Sequence, residues 1–267
     1  MAATISPSRP GVGPLLRDWR QRRRLSQLDL ANEAAVSARH LSFVETGRSR
    51  PSRELVLHLA EHLGVPLRQR NGLLLAAGYA PSYQQTPLED AAMTPVRDAI
   101  NLILGGHEPF PAIVVDRHWD LVGANNPAIA VMSEGVAPEL LAPPANTMRV
   151  TMHPDGLAPR IVNFTQYSAH LVDRLRRESD AYGDPGLREL LDEMVTYPDV
   201  AGSASPADTA GELFVPLVLD TSEGRVTFFS TLATFGTARD ITVDELAIES
   251  FFPADDATAA MLRARWG

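Results

Sequence analysis

Five short helical segments, each closed by a cap or a breaker, follow one another in fewer than 80 residues, and no other feature limits the fold of this chain so tightly. Leu15, Leu16 and Trp19 recur at helical spacing until the basic run Arg22-Arg23-Arg24. Ser26-Gln27-Leu28-Asp29 then has the form of a capping box, in which the Ser26 hydroxyl takes a free backbone N–H while Asp29 reaches back. A second helix is expected there, with Leu30, Ala31 and Ala34 inward. After a short turn through Ala35 and Val36, Ser37 is a second N-cap, and Leu41 and Val44 form the inner stripe of a third helix ending at Gly47. Ser52 can cap a fourth helix bearing Leu55, Val56, Leu59 and Leu63, stopped by Gly64 and Pro66; residues 67–77 make a fifth. Two short helices meeting across a tight turn have the geometry that sends the later one into a DNA major groove.

The charge distribution agrees. A net charge of −9 argues against a nucleic-acid partner for the molecule as a whole, because an acidic surface repels phosphate. Residues 1–80, however, hold 12 Arg against 6 acids, and residues 81–267 hold 12 Arg against 27. A basic module is therefore joined to an acidic one, and 267 residues suffice for two separate cores. The seam falls near Gly78-Tyr79-Ala80-Pro81-Ser82. Cysteine is absent, which excludes disulfides and thiolate metal sites. His107, His118, His153 and His170 lack metal-ligand spacing, so no metal is expected. No G-x-S-x-G elbow, P-loop or G-x-G-x-x-G follows a strand, and neither an enzyme nor a cofactor is expected. No apolar run approaches the roughly 18 residues of a membrane span, and the opening MAATISPSRPGVG lacks the apolar core of a signal peptide. A cytoplasmic location without a membrane partner is the expectation.

In the acidic half, Ala112-Ile113-Val114-Val115, a turn at Asp116-Arg117-His118, and residues 119–125 form a hairpin signal. Asn125, followed by Asn126 and Pro127, suits a helix start. Residues 161–177 and 187–195 read as amphipathic helices; residues 213–219 and 225–233 alternate like strands around Thr221-Ser222-Glu223-Gly224, and residues 248–252 add another. That order implies an antiparallel sheet with helices packed on one side, an α+β domain.

The string LSQLDLANEAAVSARHLSFVETGRSRPSRELVLHLAEHLGV resembles the xenobiotic-response-element or lambda-repressor-like helix-turn-helix family. With RNGLLLAAGYAPSY, DRHWDLVGANNPA, PPANTMRVTMHPDGLAPRIVNF and HLVDRLRRES, residues 11–252 resemble the MmyB-like transcription regulators. The resemblance implies a multidomain protein: an all-α five-helix helix-turn-helix domain over residues 11–80, a linker and connecting helix over 81–110, and an α+β PAS-like ligand-binding domain with an antiparallel sheet over 111–255. By position, Gln27 falls where the family contacts phosphate, Ala38, Arg39, His40 and Phe43 where it reads base edges, and Arg48 and Arg50 where it holds phosphates; Ser37, which caps the same helix, is counted with these DNA-binding residues. Arg20 and Glu45 match a buried ion pair of the family. Ala35 stands where the family often has Gly, at a cost of about 1 kcal/mol if the backbone there takes positive φ.

Two readings stay open for several residues. Arg39 alone is a solvated helix residue or a base contact, and Phe43 is an interface residue or a partner for a thymine methyl. Asn146, Asn163, Arg149 and His153 are polar groups among apolar ones, placed either to brace backbone or to orient a ligand. Trp119, Leu121, Asn125, Met148, Arg149, His153, Asn163 and Phe164 are the candidate ligand residues, with Ile113, Val115, Val150, Met152, Leu171 and Phe228 as further apolar walls. Such a lining favours a small hydrophobic, fatty-acyl-like ligand with its polar end near Arg149 or His153. A homodimer on twofold double-stranded DNA is expected; the alternative is a DNA-bound adaptor whose second domain binds protein and has no pocket.

Overall fold

A computed structural model describes residues 11–200 and 214–267. The opening residues 1–10 and Leu213, where a strand was expected to begin, lie outside the described residues. The chain divides into two units: one reaches to Gln85 and includes Ala238–Asp244, and the other comprises Thr86–Thr237 and Glu245–Gly267.

The first unit is built on helices α1 (Val12–Arg22), α2 (Gln27–Glu33), α3 (Ala38–Glu45), α4 (Arg53–His62) and α5 (Leu67–Ala76). Both halves of the capping box form: Asp29 N–H donates to Ser26 Oγ at 3.1 Å, and Ser26 N–H to Asp29 Oδ2 at 2.9 Å. Ser37 Oγ accepts from His40 N–H at 3.0 Å and Ser52 Oγ from Leu55 N–H at 3.2 Å, so α3 and α4 start where their caps place them. The turn between α2 and α3 holds Ala35 at φ +50°, the left-handed backbone that a Cβ resists. Leu16, Leu30, Leu41, Val56, Leu59 and Leu74 meet in one core. Helix α1 crosses α3 so closely that a Cβ on Gly13 would sit 2.3 Å from the Val44 carbonyl oxygen, which leaves room for glycine alone.

Inside this unit Arg20 and Glu45 form a buried two-point ion pair, Nε to Oε1 at 2.7 Å and Nη2 to Oε2 at 2.8 Å. Gln27 Nε2 donates to Glu45 Oε2 at 2.8 Å, and Arg20 Nη1 to the Leu25 carbonyl at 2.8 Å. One carboxylate thus ties the ends of α1, α2 and α3 together.

The second unit begins with a 3-10 turn (Ala91–Met93) and α6 (Thr94–Gly106). Strands β1 (Ala112–Val115) and β2 (Leu121–Ala124) form the expected hairpin. Four helices follow: α7 (Asn126–Ser133), α8 (Pro138–Leu141), α9 (Thr147–Met152) and, after a 3-10 turn at Ala158–Arg160, α10 (Phe164–Tyr182). Next come α11 (Pro185–Met194), β3 (Leu217–Thr221) and β4 (Gly224–Thr234). The connection from β4 carries α12 (Ile241–Asp244), and β5 (Ala247–Pro253) and α13 (Asp256–Trp266) close the described chain. The sheet runs β2-β1-β5-β4-β3 and every pairing is antiparallel.

Residues 238–244 belong to the first unit although they join two strands of the second. There Ile241 N–H donates to the Gln84 carbonyl at 2.8 Å, and Leu67 N–H to Asp244 Oδ2 at 3.1 Å. Pro66 has no side chain able to cap α5, so Asp244 supplies the missing acceptor.

Along β1 all four residues are buried, and alternation sends them to two faces. Ile113 and Val115 join Phe228, Phe251 and the helices in the main core. Ala112 and Val114 pack with Ile248, Ile100 and Leu104, so α6 covers the second face. The expectation of helices on one side only is corrected by this full burial of β1. The C-terminal α13 was also unforeseen; Asp255 caps it through Thr258 N–H at 2.7 Å, and Thr258 Oγ1 accepts from Thr227 N–H at 3.0 Å.

Burial works to raise the Glu45 pKa, but the bonds from Arg20 and Gln27 outweigh it and hold the carboxyl below its ordinary value. A depressed folded-state pKa adds stability above the unfolded value, near pH 4, and that stability is lost as pH falls further toward the folded value. Glu45→Gln should therefore flatten the acid limb of the stability curve. Glu45→Ala, which strands Arg20 in the core, should cost about 3–5 kcal/mol at neutral pH. Urea unfolding at stepped pH checks both.

Candidate functional site

The first unit offers a surface and the second a cavity. Ser37 fixes the start of α3, and the inward faces of Leu41 and Val44 turn the opposite face to solvent. Arg39 and His40 are exposed there, with Ala38 and Phe43 half-buried beside them. The Arg39 guanidinium lies 5.4 Å from the Phe43 ring centroid, one helical turn away. Arg48 is exposed just past the helix. Two other expected phosphate contacts already have work within the unit: Gln27 bonds Glu45, and Arg50 donates to the Ala77 carbonyl at 3.0 Å with its guanidinium 5.5 Å from the Tyr79 ring.

Between the inner face of the sheet and helices α7, α9 and α10 lies a cavity of about 240 Å³. The sheet contributes Ile113, Leu217 and Phe251; the helices contribute Met132, Met148, Val150 and Leu171. Leu121, Ile129 and Leu141 line it and are also exposed, which places its mouth among them. Trp119 closes one wall at φ +68°, a left-handed backbone costing on the order of 1–3 kcal/mol in a non-glycine residue. Its ring is held from both sides: Nε1 donates to Glu178 Oε2 at 2.9 Å, and the Arg174 guanidinium sits 4.3 Å from the ring centroid.

Polar groups in the wall are few, and most are occupied. Ser133, Thr147 and Thr151 donate their hydroxyls to backbone carbonyls at 2.6–3.0 Å. Two groups are not so absorbed, and neither was anticipated from the sequence. Glu249 on β5 stands in register between Ile113 on β1 and Leu232 on β4, on the same face as Phe251, and is only 7% exposed. Ser230 Oγ donates to its Oε1 at 2.8 Å, and Arg174 Nη1 lies 3.6 Å from that oxygen. Burial pushes the Glu249 pKa up, and the nearby Arg174 and the Ser230 bond only partly oppose it. Tyr167 on α10 is likewise 7% exposed; burial and then the neighbouring Glu249 push its phenol above the ordinary range. The alternation of Ile248-Glu249-Ser250-Phe251, which sets Glu249 on the face of Phe251, is the signal that could have revealed it.

Of the eight candidate ligand residues, Trp119, Leu121 and Met148 line the cavity. The other five lie outside its lining. Asn125 makes four hydrogen bonds: Oδ1 accepts from Ala112 and Ala128 N–H, and Nδ2 donates to the Leu104 and Phe110 carbonyls. Asn163 bridges the Pro216 carbonyl and Val218 N–H of the β3 region. Arg149 forms a two-point pair with Glu193, which also accepts from the Tyr197 hydroxyl at 2.6 Å. His153 Nδ1 accepts from Asp155 N–H at 3.0 Å, and Phe164 packs half-buried against the main core. Asn146 caps α9 through Arg149 N–H and bonds the His118 carbonyl. Among the further walls, Val115, Met152 and Phe228 are core residues behind the lining. Among the described residues no Arg or His side chain lines the cavity.

Among the described residues no three His, Asp or Glu side chains converge as a metal site would need, and no helix is long and apolar enough to cross a membrane.

Comparison with known proteins follows the same division. Residues 12–73 match the model of a helix-turn-helix domain, and residues 96–264 that of the MmyB-like transcription regulator ligand binding domain. None of the curated proteins matches. Among solved structures, an RNA-binding light-oxygen-voltage receptor aligns with 98% of this chain at 13% identity and a TM-score of 0.26, a likeness too slight to bear on function; the chain spans 62% of that receptor's length. With a helix-turn-helix domain in the first unit and the family's ligand-binding domain over most of the second, the chain belongs to the MmyB-like transcription regulators.

Proposed function

We propose that this regulator works in the cytoplasm as a homodimer on a twofold DNA site, has no catalytic activity, and changes its DNA affinity when the second domain takes up a small hydrophobic molecule. The observation that carries the ligand half is the cavity: apolar side chains form most of its wall, and its mouth is open. A formed pocket with few polar groups is what a ligand-binding domain needs. An adaptor without a pocket is the reading that this observation disfavours. The body of the ligand is fatty-acyl-like, because each buried methylene contributes about 0.8 kcal/mol while an unpaired polar group costs roughly 1–3 kcal/mol.

On DNA, Arg39 is assigned to a guanine edge, with Ser37, Ala38, His40 and Phe43 around it, and Arg48 to phosphate. Gln27 retains a second amide N–H, and Arg50 further guanidinium N–H groups, for the phosphates on either side.

Three measurements test this reading. Arg39→Ala should cost roughly 1–3 kcal/mol on the operator and relax preference at one base pair, whereas Arg48→Ala should weaken all sequences alike and lower the salt slope by about 1. Titrations at several salt concentrations separate the two, and unchanged base preference in Arg39→Ala rejects the assignment. For the ligand, affinity along a series of n-alkanols should rise about fourfold per methylene until the cavity is filled. Organic extraction of the purified protein followed by mass spectrometry should release a hydrophobic molecule; an empty extract together with a flat alkanol series rejects the ligand half.

A further inference from the structure

Glu249 is out of place on the inner face of a sheet. A carboxyl group there displaces an apolar side chain and is removed from water, which is unfavourable unless something answers its hydrogen-bonding capacity. The protein answers half of it: Ser230 and Arg174 both address Oε1, while Oε2 receives no hydrogen bond among the described residues. Tyr167 shows the same deficit. Its ring is buried in the wall of the same cavity, and its hydroxyl has no hydrogen-bond partner among the described residues. Neither atom is sealed in packing; both belong to residues of the cavity wall, and two unanswered polar groups on one cavity mark where a ligand's polar atoms belong.

Charge decides what kind of polar atoms. Among the described residues the wall holds one acid and no cation. The nearest guanidinium, Arg174, is already shared between Glu178, with Nε at 3.2 Å from Oε1, and Glu249. An anionic head would add a second buried negative group with no cation left to pair it, and a cationic head would have to keep its charge in an apolar cavity beside a carboxyl that burial itself drives toward the neutral form. We propose that the cavity recognises an uncharged head group that both donates and accepts hydrogen bonds, a hydroxyl or a primary amide on an apolar chain, held between Glu249 and Tyr167. The upward displacement of the Glu249 pKa is in keeping with this, since a neutral carboxyl and a hydroxyl can each donate to and accept from the other. The polar end of the ligand therefore lies at β5 and α10, away from Arg149, whose guanidinium is paired with Glu193.

This inference rests on the cavity being a ligand site, and the test separates the two. Four probes of equal chain length, n-decanol, decanamide, decanoate and n-decylamine, are titrated at neutral pH against a bound fluorescent apolar dye on the full chain. Decanol and decanamide should bind at least tenfold more tightly than decanoate or decylamine. Tyr167→Phe should weaken decanol about three- to tenfold, the worth of one hydrogen bond. Glu249→Gln, which removes the acid and keeps its shape, should bring decanoate to within about threefold of decanol. Circular dichroism melting confirms that both variants are folded, and the wild-type ranking needs neither. Decanoate or decylamine matching decanol on the wild type overturns the head-group inference and leaves the ligand site standing. No binding by any probe overturns both.

Discussion

The second unit hangs on one amide. Asn125 is 4% exposed and all four of its hydrogen-bonding positions are used, two N–H groups taken and two carbonyls met. Those four backbone groups come from different places: the last turns of α6, the segment before β1, the first residue of β1 and the first turn of α7. A side chain of any other shape leaves at least one of them unpaired inside the protein, at roughly 1–3 kcal/mol each. The amide therefore sets the angle at which α7 leaves the hairpin, and α7 is a wall of the cavity. A residue that does not line the cavity fixes the width of it.

The Arg20–Glu45–Gln27 group does comparable service in the first unit under a different constraint. Ion pairs removed from water are stabilising only when their geometry is good and their remaining donors are met. Here both carboxylate oxygens and three guanidinium nitrogens are matched, and the partners come from α1, the start of α2 and the end of α3. The strained turn at Ala35 is held between those points, and α3 is presented with its Arg39 face outward.

Much of this was legible in the chain because it is local. Ser26, Ser37 and Ser52 cap the helices they precede, and each needs only the next three residues to do so. Asn125 could be read as a cap for the same reason; that it also bonds Leu104 and Phe110 could not, since those groups arrive from α6 and the loop before β1. The same limit hid the polar end of the cavity. Arg149 looked available because nothing nearby in sequence pairs with it, whereas Glu193, 44 residues on, takes it. Glu249 becomes conspicuous only when β5 is placed between β1 and β4, a pairing with partners more than a hundred residues away on one side. Helix α13 escaped notice because its apolar residues are mostly alanines, which give a weak stripe.

The short connection between β4 and β5 bears on how the protein can be taken apart. Ala238–Asp244 lies in the first unit, and Asp244 provides the acceptor for the first N–H of α5. The helix-turn-helix half is therefore not a contiguous cassette. A fragment ending at Gln85 keeps the five helices but loses a piece of its own fold, with α5 left uncapped and the Gln84 carbonyl unpaired. Recombining this half with the ligand-binding half of a relative requires carrying two separate stretches of sequence, and the boundary drawn by the linker alone cuts through a structural unit.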